Sequence, residues 1–495
     1  MGSAQQGEGE AVDQRAFSHR LISQRERLHA SPQQLLERVE RSSYGPKSKE
    51  ILREQVHNES TGQVGFALFD CPPAILRGDG ARVWDADGKE YVDMLAGFSV
   101  SNVGHCHPAV TAAISAQAGQ LLHYFDLPSE PRERLAARLA ALAPGDRRRR
   151  VVFGTTGADA AELAIRLARW YTGAPIILSA YGGYHGTTGA TLPTTAKGGM
   201  WAFHYPVLPQ DSGHAKIPFS YPYRCPVGAP PESCAQACLD FTRRMLLGKE
   251  SPFTEYRGGV SNVAAILLEP MQASAGYIIP GAGYLRGIRE LCDEFGFLLI
   301  DDEIQAGLGR SGQLWACDHE QVVPDMILVS KGLGSGLPIS AVIADDEVAA
   351  SWGPGAHVGT FTATALACAA ANATLDVYES EQLVRRAADL GDYFRDQLSA
   401  LQERHPILGW IDARGLFIGL EFVRDRVTKE PAADEASWML EFCVREGLLF
   451  EKGGYYYNRF QLIPSLVVEK ELIDRAVDIL DRAMAMAEAR SGIAG

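Results

Sequence analysis

A lysine and an aspartate in the middle of the chain stand at the ends of two short apolar runs. Residues 297–300 are apolar and lead to Asp302, and residues 326–329 are apolar and lead to Lys331 and a glycine-rich turn. A lysine flanked by glycines, which let a bulky group come close, is a candidate nucleophile for Schiff-base chemistry. An aspartate on a neighbouring strand can keep the nitrogen of a pyridinium ring protonated. The two residue types together indicate a site for a covalently held aromatic ring.

The same pattern predicts the elements that would bring these side chains together. Short apolar runs that stop at turn residues, with a helix-length gap between them, are typical of buried parallel strands in an α/β sheet. Ligands of such sheets bind beyond the carboxyl ends of the strands, so we expect Asp302 and Lys331 to face one crevice. Asp301 points to the opposite face from Asp302, so only one of them can meet a ring. Further buried strands are predicted at 176–179 and 264–268, and a helix at 284–295.

A threonine- and glycine-rich turn is predicted to open a helix near Gly157. The segment FGTTGADAAE, residues 153–162, follows an apolar strand and continues into a run with apolar residues at helical spacing. The free backbone N–H groups and the positive dipole end of such a helix suit a phosphate. The start of this helix, at Gly157 and Ala158, is therefore a candidate phosphate site, although many helices begin with such a turn.

Two segments carry a specific resemblance. DEIQAGLGRSG, residues 302–312, and SKGLGSGLP, residues 330–338, resemble the signature of the class III pyridoxal-phosphate (PLP) aminotransferases, the ornithine/GABA/ω-amino-acid group of fold type I. The resemblance covers roughly residues 72–480. It implies an α/β fold type I PLP-transferase, whose large domain has a mainly parallel seven-stranded sheet between helices and whose smaller domain is α+β.

The resemblance also implies a domain organisation. The first segment is an N-terminal extension that starts disordered and then becomes helical, and the small domain is built from two separate parts of the chain. The predicted segments are the extension at 1–60, the first part of the small domain at 61–104, the large PLP-binding domain at 105–365 and the rest of the small domain at 366–495.

The motif assigns catalytic roles to Lys331 and Asp302 and a cofactor contact to Gln305. By resemblance, Lys331 holds PLP and moves the proton during the reaction. Asp302 pairs with the ring nitrogen, and Gln305 lies near the 3′-oxygen of the ring. PLP is accordingly the predicted cofactor, and amine and oxo compounds are the predicted substrates.

Further cofactor contacts follow from the same resemblance. Tyr184 lies in an aromatic-His-Gly motif whose ring stacks on the pyridine, and Glu269 lies beside the cofactor. Ala158 replaces a serine of the family pattern, which removes one hydroxyl contact to the phosphate. Thr360 matches a threonine that contacts the phosphate bound in the neighbouring subunit, so the resemblance implies a homodimer with shared active sites.

Two departures from the family pattern bear on the substrate. Many members pair a glutamate after EP-x-Q-G with an arginine in R-F-x-P-P-L, and that arginine grips an α-carboxylate by a bidentate contact. Here Ser274 replaces the glutamate and Gln461 replaces the arginine. The loss should cost a carboxylate substrate about 2–4 kcal/mol, so we expect an amine without an α-carboxylate, such as an amino sugar or an ω-amine. In the alternative, Arg459, two residues away on the same strand face, binds the carboxylate.

The predicted reaction is a ping-pong amino transfer between such an amine and an oxo acid or carbonyl acceptor. A PLP-dependent amino-acid racemase or epimerase of the same family is the alternative. Epimerase relatives carry an aspartate at the Ser274 position, and its absence favours amino transfer. A non-catalytic binding protein is disfavoured because no requirement of the fold demands Lys331, Asp302, Gln305 and Thr360 together.

Composition excludes several other classes. The net charge of −14 argues against nucleic acid and anionic membranes as partners. No apolar stretch approaches the roughly 20 residues that span a bilayer, and the N-terminus lacks an apolar signal core, so a cytoplasmic protein is predicted. His105 and His107 are predicted turn and cap residues before a helix that starts at Pro108.

The cysteines are predicted to be ordinary thiols. Nine in so long a chain do not indicate a disulfide framework. Three of them, Cys225, Cys234 and Cys238, fall within 14 residues of a Pro-, Tyr- and Cys-rich insertion at 205–260. No fourth ligand lies at zinc-finger spacing, so no metal site is predicted. An insertion of this length is expected to shape a site or an interface.

Overall fold

The computed structural model describes residues 30–62, 64–196, 213–248, 250–254 and 261–493. The described residues form two compact units. The first comprises those up to Arg77 together with Trp84–Glu90, and the second comprises Gly78–Val83 and the chain from Tyr91 onward. The division of the chain into extension, small domain and large domain remains a prediction from the sequence.

The first unit is a small helical body. Its helices are α1 (Pro32–Arg41), α2 (Pro46–Asn58) and the short α3 (Gly65–Leu68). Ser31 caps α1 and forms a capping box with Gln34, which satisfies backbone donors at the helix start. Their apolar faces share one core; its buried members are Ala30, Leu35, Val39, Leu52, Val56, Phe66 and Ala74. Helices α1 and α2 each begin at a proline, Pro32 and Pro46, and the residue before each proline is extended.

A β-hairpin turns at Asp87-Gly88. Its strands are β2 (Arg82–Asp85) and β3 (Glu90–Asp93), preceded by β1 (Ile75–Asp79). Gly88 has φ +89°, a conformation that the turn requires and that glycine adopts without strain. The Asp87 carboxylate accepts the backbone N–H groups of Lys47 and Ser48 at 3.1 and 2.9 Å, so the turn also caps the start of α2.

A mainly parallel seven-stranded sheet dominates the second unit, as predicted. The strand order is β4-β10-β9-β8-β7-β5-β6, with β10 antiparallel to both neighbours and the remaining pairs parallel. The strands are β4 (Arg149–Gly154), β5 (Ile176–Ala180), β6 (His214–Ile217), β7 (Val263–Leu268), β8 (Leu298–Asp302), β9 (Met326–Val329) and β10 (Ser340–Asp345). The central strands are buried along their whole length, because helices cover both faces of such a sheet.

A second, antiparallel sheet follows along the chain. Its order is β11-β12-β15-β14, and its strands are β11 (Leu408–Arg414), β12 (Phe417–Phe422), β14 (Glu451–Gly453) and β15 (Arg459–Leu462). The two-residue strand β13 (Leu448–Leu449) pairs in parallel with Val92 and Asp93 of β3.

The described helices of the second unit begin in different ways, some of them at a proline or at a capping side chain. They are α4 (Ala96–Ser99), α5 (Pro108–Ala118), α6 (Glu130–Leu142), α7 (Gly157–Thr172), α8 (Cys234–Leu247), α9 (Tyr284–Phe295), α10 (Asp346–Ala350), α11 (Ala365–Ser380), α12 (Leu383–Arg404), α13 (Ala433–Arg445) and α14 (Lys470–Ser491). His107 is the N-cap of α5, as predicted, and His105 Nε2 donates to the Asp93 carboxylate at 2.7 Å. No helix within the described ranges is long and apolar enough to cross a membrane.

Candidate active site

Lys331 follows β9 directly and adopts an unusual backbone conformation. Its φ is +29°, a value that a residue with a side chain adopts only at a cost in free energy. Its Nζ donates to Gln305 Oε1 at 2.5 Å. The next residue, Gly332, cannot carry a side chain, because a Cβ there would collide with Asn102. Strained residues of this kind cluster at active sites, and Gln305 holds the amine of Lys331 at the predicted edge of the sheet.

Asp302 ends β8, the strand that pairs with β9. Its side chain is only 3% exposed, and its Oδ2 lies 2.7 Å from His185 Nδ1. Since a carboxylate can only accept, Nδ1 must carry the proton. The other oxygen, Oδ1, accepts the backbone N–H of Ile304 at 3.1 Å. The carboxylate is therefore fixed in direction, and His185, which the motif comparison did not select as a site residue, is what holds it.

Gln305 connects the lysine to a buried tyrosine. Its Nε2 donates to the hydroxyl of Tyr277 at 2.8 Å, which leaves Oε1 to face Lys331. Tyr277 is fully buried, and burial raises the pKa of its phenol well above the usual value. The hydroxyl stays protonated at neutral pH, so the chain Tyr277–Gln305–Lys331 has one stable arrangement of donors and acceptors.

Glu269 joins the loops that follow β5 and β7. Its two oxygens accept the backbone N–H groups of Tyr184 and Ala273, at 2.9 and 2.8 Å. Burial raises the pKa of the Glu269 carboxyl to about 7. The glutamate thus sets the backbone position of Tyr184, whose side chain is predicted to stack on the ring.

The start of α7 has the geometry of an anion site. Thr156 caps the helix by accepting the N–H of Asp159, and Asp159 accepts the N–H of Thr155 at 2.7 Å. Helix geometry leaves the N–H groups of Gly157 and Ala158 without acceptors inside the helix. A Cβ on Gly157 would press against Ile304, so the helix start lies against the loop that follows Asp302.

The predicted substrate residues lie beside these loops. Gln461 on β15 is buried, and its Nε2 donates to the carbonyl of Ala273 at 2.9 Å. Its Oε1 has no hydrogen-bond partner among the described residues. Ser274 is half-buried next to Ala273. Thr360 is exposed in the loop before α11, and its predicted role toward a second subunit remains a prediction.

Arg459 has no hydrogen-bond donor left for a ligand. It is 1% exposed, and the five N–H donors of its guanidinium face five protein acceptors. The acceptors are the carbonyl oxygens of Gly276 and Tyr277 at 2.7 and 3.1 Å, the carboxylates of Glu421 and Asp412 at 2.8 and 2.7 Å, and the hydroxyl of Tyr221 at 3.0 Å.

These residues fit the pyridoxal cofactor that the sequence predicts. A lysine amine, a buried and oriented carboxylate, and the start of a helix are the three groups that an aldehyde, a ring nitrogen and a phosphate require. The model for "Aminotransferase class-III" matches residues 70–484. The chain belongs to the class III aminotransferases. It is therefore a PLP-dependent enzyme, with Lys331 and Asp302 as the residues predicted to hold the aldehyde and the ring nitrogen.

Relatives within the class III aminotransferases have more than one activity. The chain is 36% identical over 423 residues to the leucine/methionine racemase of Thermococcus litoralis, covering 84% of this chain and 91% of that protein. It is 32% identical over 412 residues to a probable 4-aminobutyrate aminotransferase of Bacillus subtilis, covering 83% and 92%. The structure of an amine transaminase from an uncultivated Pseudomonas species is similar with a TM-score of 0.76 and 30% identity, covering 84% and 96%.

His185 and Tyr277 were not assigned a role from the sequence, and the two differ in how visible they are in it. His185 follows Tyr184 in the aromatic-His-Gly motif, so the motif identifies its position but not its contact with Asp302. Tyr277 lies 28 residues from Gln305 along the chain. No local pattern connects the two, and only the fold brings them together.

Proposed function

We propose that this class III aminotransferase transfers an amino group from a primary amine without an α-carboxylate to a carbonyl acceptor. The single observation that carries the proposal is the arrangement around Gln461. The position at which many family members place a carboxylate-binding arginine holds a neutral amide. The only arginine nearby on the same strand, Arg459, has all its donors engaged by protein atoms.

Arg459 supports the proposal because its guanidinium could bind a substrate only by leaving its ion pairs within the protein, at a cost in free energy. Turning its guanidinium toward a substrate would leave the buried carboxylate of Asp412 without its arginine, which costs about 3–5 kcal/mol. It would also remove one of the two arginines that contact Glu421, which keeps Arg224. One bidentate contact to a substrate carboxylate does not exceed that loss. We therefore assign Arg459 a structural role. ω-Amines fit better than amino sugars, because the relatives include a 4-aminobutyrate aminotransferase and an amine transaminase.

The chain's own residues have distinct parts in the chemistry. PLP, when bound, supplies an electron sink for the bond broken at the substrate carbon. Lys331 acts as the general base and acid that takes and returns a proton at that carbon, and Gln305 sets the position of its Nζ. Asp302 keeps the ring nitrogen positively charged, and His185 keeps the carboxylate aimed. Glu269 fixes the two loops that border the ring.

The proposal is tested by a comparison of three donors. Butylamine, 4-aminobutyrate and L-2-aminobutyrate differ in whether a carboxylate is attached to the carbon that bears the amine. Wild-type enzyme should lose its visible colour with the first two and recover it when a carbonyl acceptor is added. Lys331→Ala should show neither change. With Gln461→Arg, kcat/KM for L-2-aminobutyrate should rise at least tenfold, since a bidentate pair contributes about 2–4 kcal/mol.

Gln461→Met is the matched control, because it removes the amide without adding charge. It should leave kcat/KM for L-2-aminobutyrate at the wild-type value. Wild-type enzyme that already uses L-2-aminobutyrate as well as Gln461→Arg does would contradict the proposal. In that case Arg459→Lys should abolish the activity toward this donor, and Arg459 would be the carboxylate-binding residue.

A racemase or epimerase activity is the second candidate, and the relatives favour it specifically. Leucine/methionine racemase and isoleucine 2-epimerase are each 36% identical to this chain. Proton exchange at both faces of an amino acid favours two acid–base groups, and Ser274 offers only a hydroxyl where an aspartate is expected. Incubation of L-leucine in deuterated buffer without an acceptor distinguishes the two. Deuterated D-leucine would establish racemisation, whereas a colour change without D-leucine would support amino transfer.

A further inference from the structure

Three cysteines of the insertion between β6 and β7 converge on one point. Cys225 follows a 3₁₀ turn (Pro222–Arg224), while Cys234 and Cys238 lie one turn apart at the start of α8. Their three sulfur atoms all lie within 4.8 Å of one another. Cys234 and Cys238 are fully buried and Cys225 is half-buried. The spacing of the three cysteines along the chain predicts ordinary thiols, but the fold brings their sulfur atoms together.

Two of these sulfurs form hydrogen bonds with neighbouring groups. The Ser220 hydroxyl donates to Cys234 Sγ at 3.5 Å, and the Cys238 thiol donates to the carbonyl of Phe219 at 3.8 Å. A donor directed at a sulfur stabilises its thiolate form.

Backbone geometry produces part of this arrangement. Gly228 has φ +75°, and its backbone N–H donates to the carbonyl of Cys225 at 3.1 Å, so the chain turns back directly after this cysteine. Cys234 is the first residue of the 14-residue helix α8, where the helix dipole favours negative charge. The start of α8 thus favours a thiolate at Cys234, which is buried.

A buried group of thiolates requires a cation. Thiolate sulfur is a soft ligand that selects Zn²⁺ over hard ions such as Mg²⁺ or Ca²⁺. With Zn–S bonds of about 2.3 Å and tetrahedral angles, the sulfurs of a zinc site lie roughly 3.8 Å apart. The separation here, within 4.8 Å, needs only a small contraction. Three protein ligands leave a fourth position open, and the half-buried side of Cys225 gives water access to it.

We propose that Cys225, Cys234 and Cys238 bind one Zn²⁺ ion as thiolates, with water as the fourth ligand. The ion joins the turn after Pro222–Arg224 to the start of α8. Its role is structural, because the same turn region carries Tyr221, whose hydroxyl hydrogen-bonds Glu421 and Arg459. The proposal does not depend on the substrate proposed above.

Metal analysis of the holoenzyme tests the proposal. Protein purified with a phosphine reductant, supplied with Zn²⁺ and dialysed should retain about one Zn²⁺ per chain. Replacement of Zn²⁺ by Co²⁺ should produce a near-ultraviolet thiolate-to-metal charge-transfer band. Cys225→Ser, chosen because this residue is only half-buried, should retain at least tenfold less zinc. Cys106→Ser removes an exposed thiol outside the cluster and should retain zinc as the wild type does.

Stability provides a second readout. A strong chelator should lower the melting temperature of the wild type and of Cys106→Ser but leave that of Cys225→Ser unchanged. Equal zinc retention in wild type and Cys225→Ser would overturn the proposal. So would a wild type with all nine thiols titratable that retains no zinc and gives no charge-transfer band with Co²⁺. A disulfide between two of the three cysteines, seen by mass spectrometry of freshly purified protein, would overturn it as well.

Discussion

At the scale of single residues, the direction of the Asp302 carboxylate depends on His185. The contact is a charge-assisted hydrogen bond of 2.7 Å in which the histidine ring is completely buried. Such a bond contributes about 1.5–3 kcal/mol. The backbone N–H of Ile304 alone cannot prevent rotation of the carboxylate away from the ring nitrogen, and a misdirected carboxylate stabilises the positive ring less.

We expect His185→Phe to lower kcat by about ten- to 100-fold, which is the effect of that hydrogen bond on the activation barrier. His185→Gln keeps an N–H donor within reach of Asp302 and should recover most of the loss. Both variants should melt near the wild-type temperature, so that the loss of kcat in His185→Phe does not reflect unfolding. Wild-type kcat in His185→Phe would contradict the orienting role.

Arg459 is a second single residue whose role can be tested, because a structural role and a role in substrate binding predict different effects of its replacement. Arg459→Met should lower the free energy of unfolding by about 3–5 kcal/mol, since Asp412 would remain buried and unpaired and Glu421 would keep only Arg224 as a charged partner. Gln461→Met, on the same strand, removes one neutral hydrogen bond and should cost about 1 kcal/mol. Urea unfolding of both variants measures the difference. A stable Arg459→Met with a much higher KM for carboxylate donors would show instead that Arg459 serves the substrate.

What the sequence could predict at this scale depended on distance along the chain. Lys331, Asp302 and Gln305 lie in motifs, and their residue types alone indicate the chemistry. Arg459 could be placed on the same strand face as Gln461 but not inside a network, because its acceptors come from three other segments of the chain. The cluster of Cys225, Cys234 and Cys238 was not predicted for the same reason. A turn at Cys225 and a helix that starts at Cys234 bring the sulfur atoms together, and this arrangement has no fixed spacing in the sequence.

At the scale of elements, the four buried strands that were predicted individually lie within two residues of their observed bounds. β8 runs from Leu298 to Asp302 where 297–300 was expected, and β9 was predicted without error. Parallel strands buried on both faces are continuous apolar runs, so their bounds are visible in the sequence. The helix predicted at 284–295 has the same bounds in the structure, because Gly283 and Gly296 lie at its two ends and mark where it starts and stops.

The end of β8 carries a group of acids whose protonation the sequence could not reveal. Asp301 and Glu303 are both buried, and with Cys317 they place one ligand atom each within 4.8 Å of one another. Burial raises the pKa of Asp301 to about 7, and burial together with the charge of Asp301 raises the pKa of Glu303. The two carboxyls therefore share at least one proton at neutral pH, whereas Asp302, on the other face, is held by His185.

This pair predicts a pH dependence of stability. A carboxyl whose pKa is higher in the folded chain binds its proton more tightly there. Its stabilising effect is complete below the unfolded pKa of about 4 and is lost as pH rises through about 7. Asp301→Asn cannot ionise, and its amide can donate to Glu303. The variant should melt about 2 °C higher than the wild type at pH 8 and no higher at pH 5.

Thermal unfolding from pH 5 to pH 8 measures this difference. Asp79→Asn, at an exposed position, is the control and should follow the wild type at every pH. A variant Asp301→Asn that melts lower than the wild type at pH 8 would show that the ionised carboxylate is stabilised, for example by a bound cation, and would contradict the shared proton.

At the scale of the whole molecule, one surface of the second unit is unusually apolar. An apolar patch is formed by large side chains that a single chain leaves exposed, among them Tyr124, Val358 and Phe361 at 67%, 65% and 64%. The rings of His123 and Phe361 lie 5.3 Å apart, which joins the two segments into one surface. The other members are Leu121, Leu122, Phe125 and Leu127. Patches of this kind mark protein interfaces.

The patch adjoins Thr360, the residue that the family resemblance assigns to a neighbouring subunit's phosphate. We propose that a second copy of the chain covers it and completes the site. Phe361→Glu should convert a dimer into monomers in light-scattering measurements, because a buried, unpaired carboxylate at an interface costs several kcal/mol. The monomers should also release PLP more readily, since each site would lose Thr360 of its partner.

Val427→Glu provides the comparison that makes this result interpretable. Val427 is 88% exposed and is not a member of the apolar patch, so the same charge there should leave both mass and cofactor retention unchanged. Loss of PLP in Phe361→Glu without loss of the dimer would place Phe361 in the site but not at the interface. A wild-type protein that is monomeric and retains PLP at micromolar concentration would contradict the shared site, because Thr360 would then have no phosphate of a partner to contact.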